Sequence, residues 1–352
     1  VLNMTLSSYR SHVWKHLTAA TLSLGLVFAG TAQAVAATDI SLVLNWKYEG
    51  AQAWYFLAED KGYFKEQGLN VTIDQGEGSA ASIPKVASGV YDAGFGDTNA
   101  LIQLAATQPE RAPVGVYMIY NTPPFVIAVK ADSPITKPKD VEGKIIGAPA
   151  NDAALKLFPA FAELTGIDQS KVTLNNMAPN LREQLLMRGQ IDAAFGYITT
   201  ISFSAKGMKV DPEKELRFIR YGDHGMDLYS NSIFFSQDFI DNNPDAVRGF
   251  LVAINQAIQD AIANPEEAMD ALMKREPLLN REVEMDKMLT TVRNDMSHPE
   301  IAEIGLGDVD DERLKKNIDI VIAANRLENT PSIDQIFDRR FLPERAARPS
   351  EL

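Results

Sequence analysis

The sequence predicts an α/β fold of two similar lobes, each a mainly parallel sheet flanked by helices. Three observations carry that expectation. Residues 86–97 (VASGVYDAGFGD) and 186–197 (LMRGQIDAAFGY) align without a gap, one hundred positions apart. Gly89, Asp92, Ala93, Phe95 and Gly96 therefore match Gly189, Asp192, Ala193, Phe195 and Gly196. The likeness extends upstream, where Val71-Thr72-Ile73 and Val172-Thr173-Leu174 stand at nearly equal distances before Gly89 and Gly189. Finally, short apolar runs alternate with helical patterns in both stretches, and that order implies right-handed crossovers and a parallel sheet. A repeat this long is not a solenoid unit. Two lobes built on one plan leave a cleft between them, where small ligands bind.

In the first lobe, residues 40–44 are an apolar run that predicts a buried strand ending at Asn45-Trp46. Residues 51–67 read as one helix with Gly68 as its stop. Residues 71–73 are a second strand. Gly76-Glu77-Gly78-Ser79 is a turn, with Ser79 expected to cap a helix running to Ser88. A third strand spans 91–96 and a third helix starts near Asn99. The second lobe repeats the order: strand 144–147, helix 152–165 stopped by Gly166, strand 172–174, helix 180–187, strand 193–197.

Residues 114–130 are two apolar runs split by Asn121-Thr122-Pro123-Pro124, suited to carry the chain across; residues 232–235 would carry it back. Lobe 1 is thus expected to comprise 38–122 and 232–345, and lobe 2 to comprise 123–231. From Pro244 to about Leu327 the pattern is helical, with Asn264-Pro265-Glu266-Glu267 a helix start, and these helices are expected to pack mainly on lobe 1. Residues 346–352, after an Arg- and Pro-rich stretch, read as a loosely held tail.

Residues 1–37 read as a signal peptide. Arg10 and Lys15 form a positive region, 17–30 is apolar, and Ala32-Gln33-Ala34 and Ala34-Val35-Ala36 both fit an A-x-A cleavage pattern. The competing reading, a membrane anchor, needs about 20 apolar residues. No cysteine follows, so no lipid anchor is expected. Removal leaves about 315 residues, room for two domains of about 100–200 each. With no cysteine in the chain, disulfides, thiolate metal sites and a cysteine nucleophile are excluded. The formal net charge is −13, and loss of Arg10 and Lys15 makes it more negative. A nucleic-acid binder shows a basic face, and an acidic surface gains no attraction to anionic lipid.

Several stretches together resemble one family. They are Asn45-Trp46, KGYFKEQGLNVTI from Lys61, Gly76-Glu77-Gly78-Ser79, the repeated G-x-x-D-A-x-F-G, Pro138-Lys139-Asp140-Val141-Glu142-Gly143-Lys144 and Asn264-Pro265-Glu266-Glu267-Ala268. The chain is similar through them, over nearly its whole mature length, to the solute-binding proteins of ABC importers for nitrate, sulfonates, taurine and thiamine-pyrimidine precursors. The resemblance implies a type II periplasmic binding protein: two lobes on hinge crossovers, closing around one small solute and then docking on an inner-membrane ABC permease. It implies a periplasmic monomer with no cofactor and no membrane insertion of the mature chain. The family's enzymatic relative, a synthase of the thiamine pyrimidine, resembles the same fold but uses a cysteine-rich motif and iron, which a cysteine-free chain does not supply.

Ligands in such sheets meet strand C-termini and the helix N-termini beyond them. Asn45, Trp46 and Tyr48 follow the first strand; Trp46 suits stacking on a flat ligand, or else caps a core edge. Trp54, inside a helix beside Phe56 and Leu57, reads as core. Gly78 and Ser79 offer backbone N–H groups and a hydroxyl to an anion or a polar ring edge, or simply cap. Asp97 and Thr98 end one copy of the repeat: the carboxylate would accept from an amine, amide or protonated ring nitrogen, or cap the next helix. Asn151 opens a helix in lobe 2, where Asp152 reads as a cap. Tyr197 ends the other copy and should face Asp97 across the cleft. Asp227, with Tyr229, precedes the return crossover. Asp92 and Asp192, three residues past a glycine, read as turn-fixing.

Catalytic motifs are lacking: there is no H-E-x-x-H, G-x-S-x-G or P-loop, and His224 and His298 stand far apart. The expected ligand is a small, flat, polar organic molecule bearing hydrogen-bond donors. Only Lys47 among basic residues stands at an expected strand end, which disfavours a tight inorganic anion. A carboxylate usual in pyrimidine-binding relatives shortly after Tyr197 is replaced by Ile198-Thr199-Thr200, and a sulfonate held by Ser79 and Asn151 is the alternative.

Overall fold

The computed structural model describes residues 37–352; the expected signal segment lies, up to residue 36, outside the described residues. Two five-stranded sheets organise the molecule. The first runs β2 (Leu69–Asp74), β1 (Thr38–Val43), β3 (Ala93–Asp97), β10 (Asn231–Phe235) and β4 (Val114–Met118). The second runs β7 (Thr173–Asn176), β6 (Ile145–Ala148), β8 (Ala193–Tyr197), β5 (Phe125–Lys130) and β9 (Leu216–Arg220). Each has three parallel strands, with β1 and β6 at their centres, followed by an antiparallel pair. β10, inserted beside β3, is supplied only when the chain returns, so the first sheet is discontinuous in sequence, whereas β5, inserted beside β8, opens the consecutive run β5–β9 of the second.

Helices α1 (Ala53–Asp60), α2 (Tyr63–Glu66), α3 (Ser82–Ala87) and α4 (Thr98–Thr107) flank the first sheet. The second carries α5 (Ala153–Thr165), α6 (Arg182–Met187), α7 (Ile198–Gly207) and α8 (Pro212–Glu215). The single helix expected over 51–67 is broken, because Gly62 takes a left-handed conformation (φ +77°) between α1 and α2. Gly166 ends α5 in the left-handed conformation expected of a helix stop. Ser79 does not cap α3. That helix starts three residues later, at Ser82, with no side-chain cap.

The C-terminal part contributes α9 (Gln237–Asn242), α10 (Pro244–Ala263), α11 (Pro265–Arg275), α12 (Arg281–Thr291), α13 (Ile301–Ile304), α14 (Asp311–Ala324) and α15 (Ile333–Ile336). α10 and α11 pack on α1, as expected for a lobe 1 layer. α14, however, touches both α4 and α5, and α12 touches both the 50–52 turn and α7. Gly50 permits the α12 contact, since a Cβ there would lie 2.0 Å from the Glu284 carbonyl oxygen. Two helices therefore straddle the halves. The 346–352 tail is docked rather than loose: buried Arg348 donates to the Gly305 and Leu306 carbonyls at 3.2 and 3.0 Å, and the Pro349 carbonyl accepts from Leu306 N–H at 2.8 Å.

The core is continuous across the crossovers. Phe95, Tyr120, Tyr197, Phe125, Tyr221 and Phe161 form an aromatic chain with neighbouring centroids 4.0–6.3 Å apart, passing from the first sheet to α5. No helix among the described residues is long and apolar enough to cross a membrane.

Candidate ligand cleft

The repeated residues build the same joint twice. Asp92 accepts from the backbone N–H of Ser41 at 2.8 Å and from its hydroxyl at 2.7 Å. Asp192 accepts from the backbone N–H of Ile145 at 2.8 Å. Each carboxylate locks its turn to the middle one of the three parallel strands, β1 or β6. Gly96 and Gly196 then let the following helix start press on the strand: a Cβ at 96 would meet Ser82 Oγ at 2.0 Å, and one at 196 would meet Arg182 Nη1 at 2.6 Å.

Arg182 is therefore brought under the strand ends, fully buried. Its Nε and Nη2 donate to Glu183 at 2.9 and 2.7 Å, and Nη1 donates to Asp152 at 3.2 Å and to the Phe195 carbonyl at 3.3 Å. Burial works against its charge, but Glu183 and Asp152 outweigh it and raise its proton affinity. Asp152 caps α5, accepting from Ala154 and Leu155 N–H, and pairs with Arg182 through its other oxygen. Burial pushes the Asp152 carboxyl up, against the pull of Arg182.

Above this cluster, Asn45, Trp46, Ser79, Asp152, Arg182, Tyr197 and Thr200 enclose an inner cavity of about 20 Å³. The Trp46 ring, half-buried, lies 5.6 Å from the Arg182 guanidinium. A polar web closes the first-sheet side. Gln52 donates to Asn45 Oδ1 at 2.9 Å; Asn45 and Asn231 approach Ser79 Oγ at 3.4 and 3.5 Å. The Tyr197 hydroxyl crosses from the second sheet, donating to Asn231 Oδ1 at 2.6 Å and lying 3.0 Å from Ser230 Oγ.

Asp97 is register partner to Asn231 and sits behind this web rather than on the cavity. One carboxylate oxygen accepts from Asn99 Nδ2 at 2.8 Å, and the other is buried without a partner. Burial pushes the Asp97 carboxyl up to about 7, the Asn99 hydrogen bond working the other way. Burial, followed by the Asp97 charge, pushes the Tyr197 phenol well above its usual value.

Gly78 and Asn151 meet each other. Gly78 has φ +143°, and a Cβ there would lie 2.4 Å from the Asn151 carbonyl oxygen; the same oxygen accepts from Ala80 N–H at 3.3 Å. Outside this seam lies a second cavity of about 400 Å³, lined by Lys47, Gln75, Glu77, Lys85, Asn151, Met177 and their neighbours.

Besides Asp97, three expected site residues stand elsewhere. The Tyr48 hydroxyl donates to the Ile73 carbonyl at 2.6 Å and its ring packs edge-on against Phe56, so it serves the sheet edge. Buried Thr98 pairs its hydroxyl with Ser232 at 2.9 Å, between β3 and β10. Asp227 is exposed and paired at 2.9 Å with Arg313, which also binds Glu300 and the Asn121 carbonyl. With Tyr229, whose hydroxyl donates to Glu300, Asp227 braces the crossovers, because Arg313 joins it to the Asn121 carbonyl. Arg182, the pairing role of Asp152, and Thr200 escaped the sequence reading. The repeat contained the signal for the first: extended four residues upstream, it pairs Arg182 with Ser82.

These two sheets, with antiparallel insertions and a cleft at the parallel strand ends, define a periplasmic binding protein fold. The alkanesulfonate-binding protein SsuA from Xanthomonas axonopodis pv. citri, solved bound to MOPS, shares it with a TM-score of 0.65 at 15% identity, over 85% of this chain and 98% of that one. The chain belongs to the NMT1/THI5 like family, whose model matches residues 51–268. The riboflavin-binding protein RibY of Chloroflexus aurantiacus is 26% identical over 319 residues, 87% of this chain and 86% of RibY. The 4-amino-5-hydroxymethyl-2-methylpyrimidine phosphate synthase THI13 of Saccharomyces cerevisiae is 27% identical over 256 residues, 69% of this chain and 73% of THI13. Relatives thus bear both binding-protein and synthase names. The cysteine-rich motif expected of the synthase has no counterpart in this cysteine-free sequence, and among the described residues no three His, Asp or Glu side chains are grouped as metal ligands.

Proposed function

We propose that this protein captures one small, flat organic solute bearing hydrogen-bond donors, by closing its two lobes around it, and makes or breaks no bond. The observation that carries the reading is the wall of the inner cavity. Trp46 supplies an aromatic face, while the guanidinium beside it spends its donors on Glu183, Asp152 and the Phe195 carbonyl. A nitrate or sulfonate entering there would meet a neutralised arginine and two buried carboxylates. A pyrimidine-like ring would meet a stacking surface and acceptors. RibY, with a heteroaromatic ligand in its name and matching coverage, supports the same class.

On this reading residues 38–122 with 231–345 move as one body and 123–230 as the other; Asn231, expected in lobe 2, opens β10 of the first sheet. The ligand-closed form docks on an ABC permease of the inner membrane, and the protein works as a periplasmic monomer delivered by its first 37 residues. An inner cavity of about 20 Å³ holds about one water, so ligand entry requires the seam at Gly78 and Asn151 to part.

A thermal-shift screen of pyrimidines, flavins, aromatic acids, sulfonates and nitrate tests the proposal. A true ligand at 100 times its Kd adds about 2.7 kcal/mol of stability. Trp46→Ala should weaken that hit at least about tenfold, since an aromatic stack contributes about 0.5–1.5 kcal/mol beyond the area it buries. Shifts by nitrate and sulfonates alone would overturn the reading. Recovery of the ligand chemically unchanged, one per chain, separates a carrier from an enzyme.

A further inference from the structure

The inner and outer cavities are lined by neighbouring residues of the same segments. Trp46 and Asp152 line the inner cavity, while Lys47 and Asn151 line the outer one. The seam there is held by one cross-cleft hydrogen bond, Ala80 N–H to the Asn151 carbonyl at 3.3 Å, beside the Gly78 contact. The inner cavity of about 20 Å³ is too small for any ring, whereas the outer one, at about 400 Å³, is within the range of ligand pockets, about 300–1,000 Å³. A ring that reaches Trp46 must part this seam, and whatever the ring carries then projects into the outer chamber.

The charges differ as well. The inner wall holds Arg182 against Asp152, with Glu183 behind it, a carboxylate excess. The outer wall holds Lys47 and Lys85 against Glu77, an excess of one cation on a chain of net charge −13. Neither lysine has a carboxylate within 4 Å among the described residues, so both ammonium groups are available to a ligand.

Resting on the ring reading above, we propose that the ligand is bipartite: a donor-bearing ring at Trp46, and an acceptor-rich or anionic tail, of the phosphate or carboxylate kind, held in the outer chamber by Lys47 and Lys85. Gln75 and Asn151 supply neutral donors along the tail. The arrangement discriminates ligands by tail charge while the acidic inner wall discriminates against an anionic ring.

The test uses two matched pairs of probes, each with and without a phosphate tail: 4-amino-5-hydroxymethyl-2-methylpyrimidine and its monophosphate, and riboflavin and its 5′-phosphate. Calorimetry on the mature protein gives a Kd for each. Within the pair that binds, the phosphate-bearing member should bind about fivefold tighter at low salt, and its advantage should shrink as salt screens the two lysines. In the double variant Lys47→Gln/Lys85→Gln the ratio of the two Kd values should fall to one or below. Equal or weaker binding of the phosphate-bearing member by the wild type overturns the tail subsite and leaves the ring reading standing. A ratio unmoved by the double substitution overturns the assignment to these lysines. Failure of all four probes to bind overturns the bipartite ligand, while a thermal shift by an aromatic acid would leave the ring reading standing.

Discussion

The two copies of the repeat share a skeleton and differ in what they bury. Both lock a turn with an aspartate, Asp92 or Asp192, and both clear a path for the next helix with a glycine. In the first copy the helix start beneath that glycine is Ser82, a hydroxyl bonded only to the Ser79 carbonyl at 3.3 Å. In the second it is Arg182, whose charge draws Asp152 and Glu183 out of water. At the strand ends the contrast reverses: Asp97 is a buried carboxyl with one oxygen unpartnered, while Tyr197 reaches across the cleft to Asn231. Duplicating a frame thus fixes where groups are presented and leaves their charge free. On the proposed function, recognition falls to the positions where the copies diverge.

The largest expected difference between the copies is at 82 and 182. Arg182→Ala leaves two buried carboxylates without their cation and should cost about 3–5 kcal/mol. Ser82→Ala removes one neutral hydrogen bond and should cost about 0.5–1.5 kcal/mol. Urea denaturation of both variants measures the pair. Similar losses would mean that the arginine cluster is no more structural than the serine.

A smaller difference is expected at the glycines. Gly96→Ala drives a Cβ against Ser82 Oγ and, at 2.5 Å, the Ser79 carbonyl, which is backbone and already accepts from Asp97 N–H. Gly196→Ala meets the end of the Arg182 side chain and Ile201 Cδ1, which can shift. Overpacking costs about 1–3 kcal/mol; the upper part of that range is expected at 96 and the lower at 196, by the same denaturation assay. A larger loss at 196 would place the rigid joint in the second copy.

Much of this frame was legible in the sequence. Strand positions, the Gly166 stop and the two-lobed plan follow from periodicity and turn chemistry, which are local. The straddling of α12 and α14, the docked tail and the bracing role of Asp227 were not, because each depends on a partner far along the chain: Glu284 for Gly50, Gly305 for Arg348, Arg313 for Asp227. At the cleft, Asn45, Trp46 and Tyr197 were named from strand ends and Ser79 from a helix start, and all four line the inner cavity. Arg182 was not, because its place under the strand end depends on Asp152, 30 positions away, and on the room left by Gly196.

Position 97 against 197 is separable by pH. The Asp97 carboxyl titrates at about 7 in the folded protein and near 3.8 when exposed. Between those values the folded state keeps a proton that the unfolded chain has lost, so stability falls as pH rises from about 4 to about 7, with a slope of up to about 1.4 kcal/mol per pH unit. Asp295, also raised to about 7 by burial, adds a slope of the same sign. Asp97→Asn should remove its share, measured as unfolding free energy at pH 4.5 and 7.5. Tyr197→Phe should leave the slope unchanged, since its phenol is pushed above 10. Equal slopes in wild type and Asp97→Asn would mean that Asp97 is ionised throughout.

The smallest effect, and the one that bears most on closure, sets the two sides of the seam against each other. Gly78 contributes an absence of side chain, and Asn151 contributes a backbone oxygen. Gly78→Ala puts a methyl group where the Asn151 carbonyl sits, in a backbone region (φ +143°) that L residues avoid. The strain is relieved by opening the cleft, so the ligand-free variant should scatter X-rays with a larger radius of gyration and bind its ligand about tenfold more weakly. Asn151→Ala keeps the carbonyl in place and should leave compactness unchanged, because the bond from Ala80 uses no side-chain atom. If Gly78→Ala is as compact as the wild type, the turn at 76–79 yields instead of the hinge, and close packing at Gly78 is not needed for the closed form.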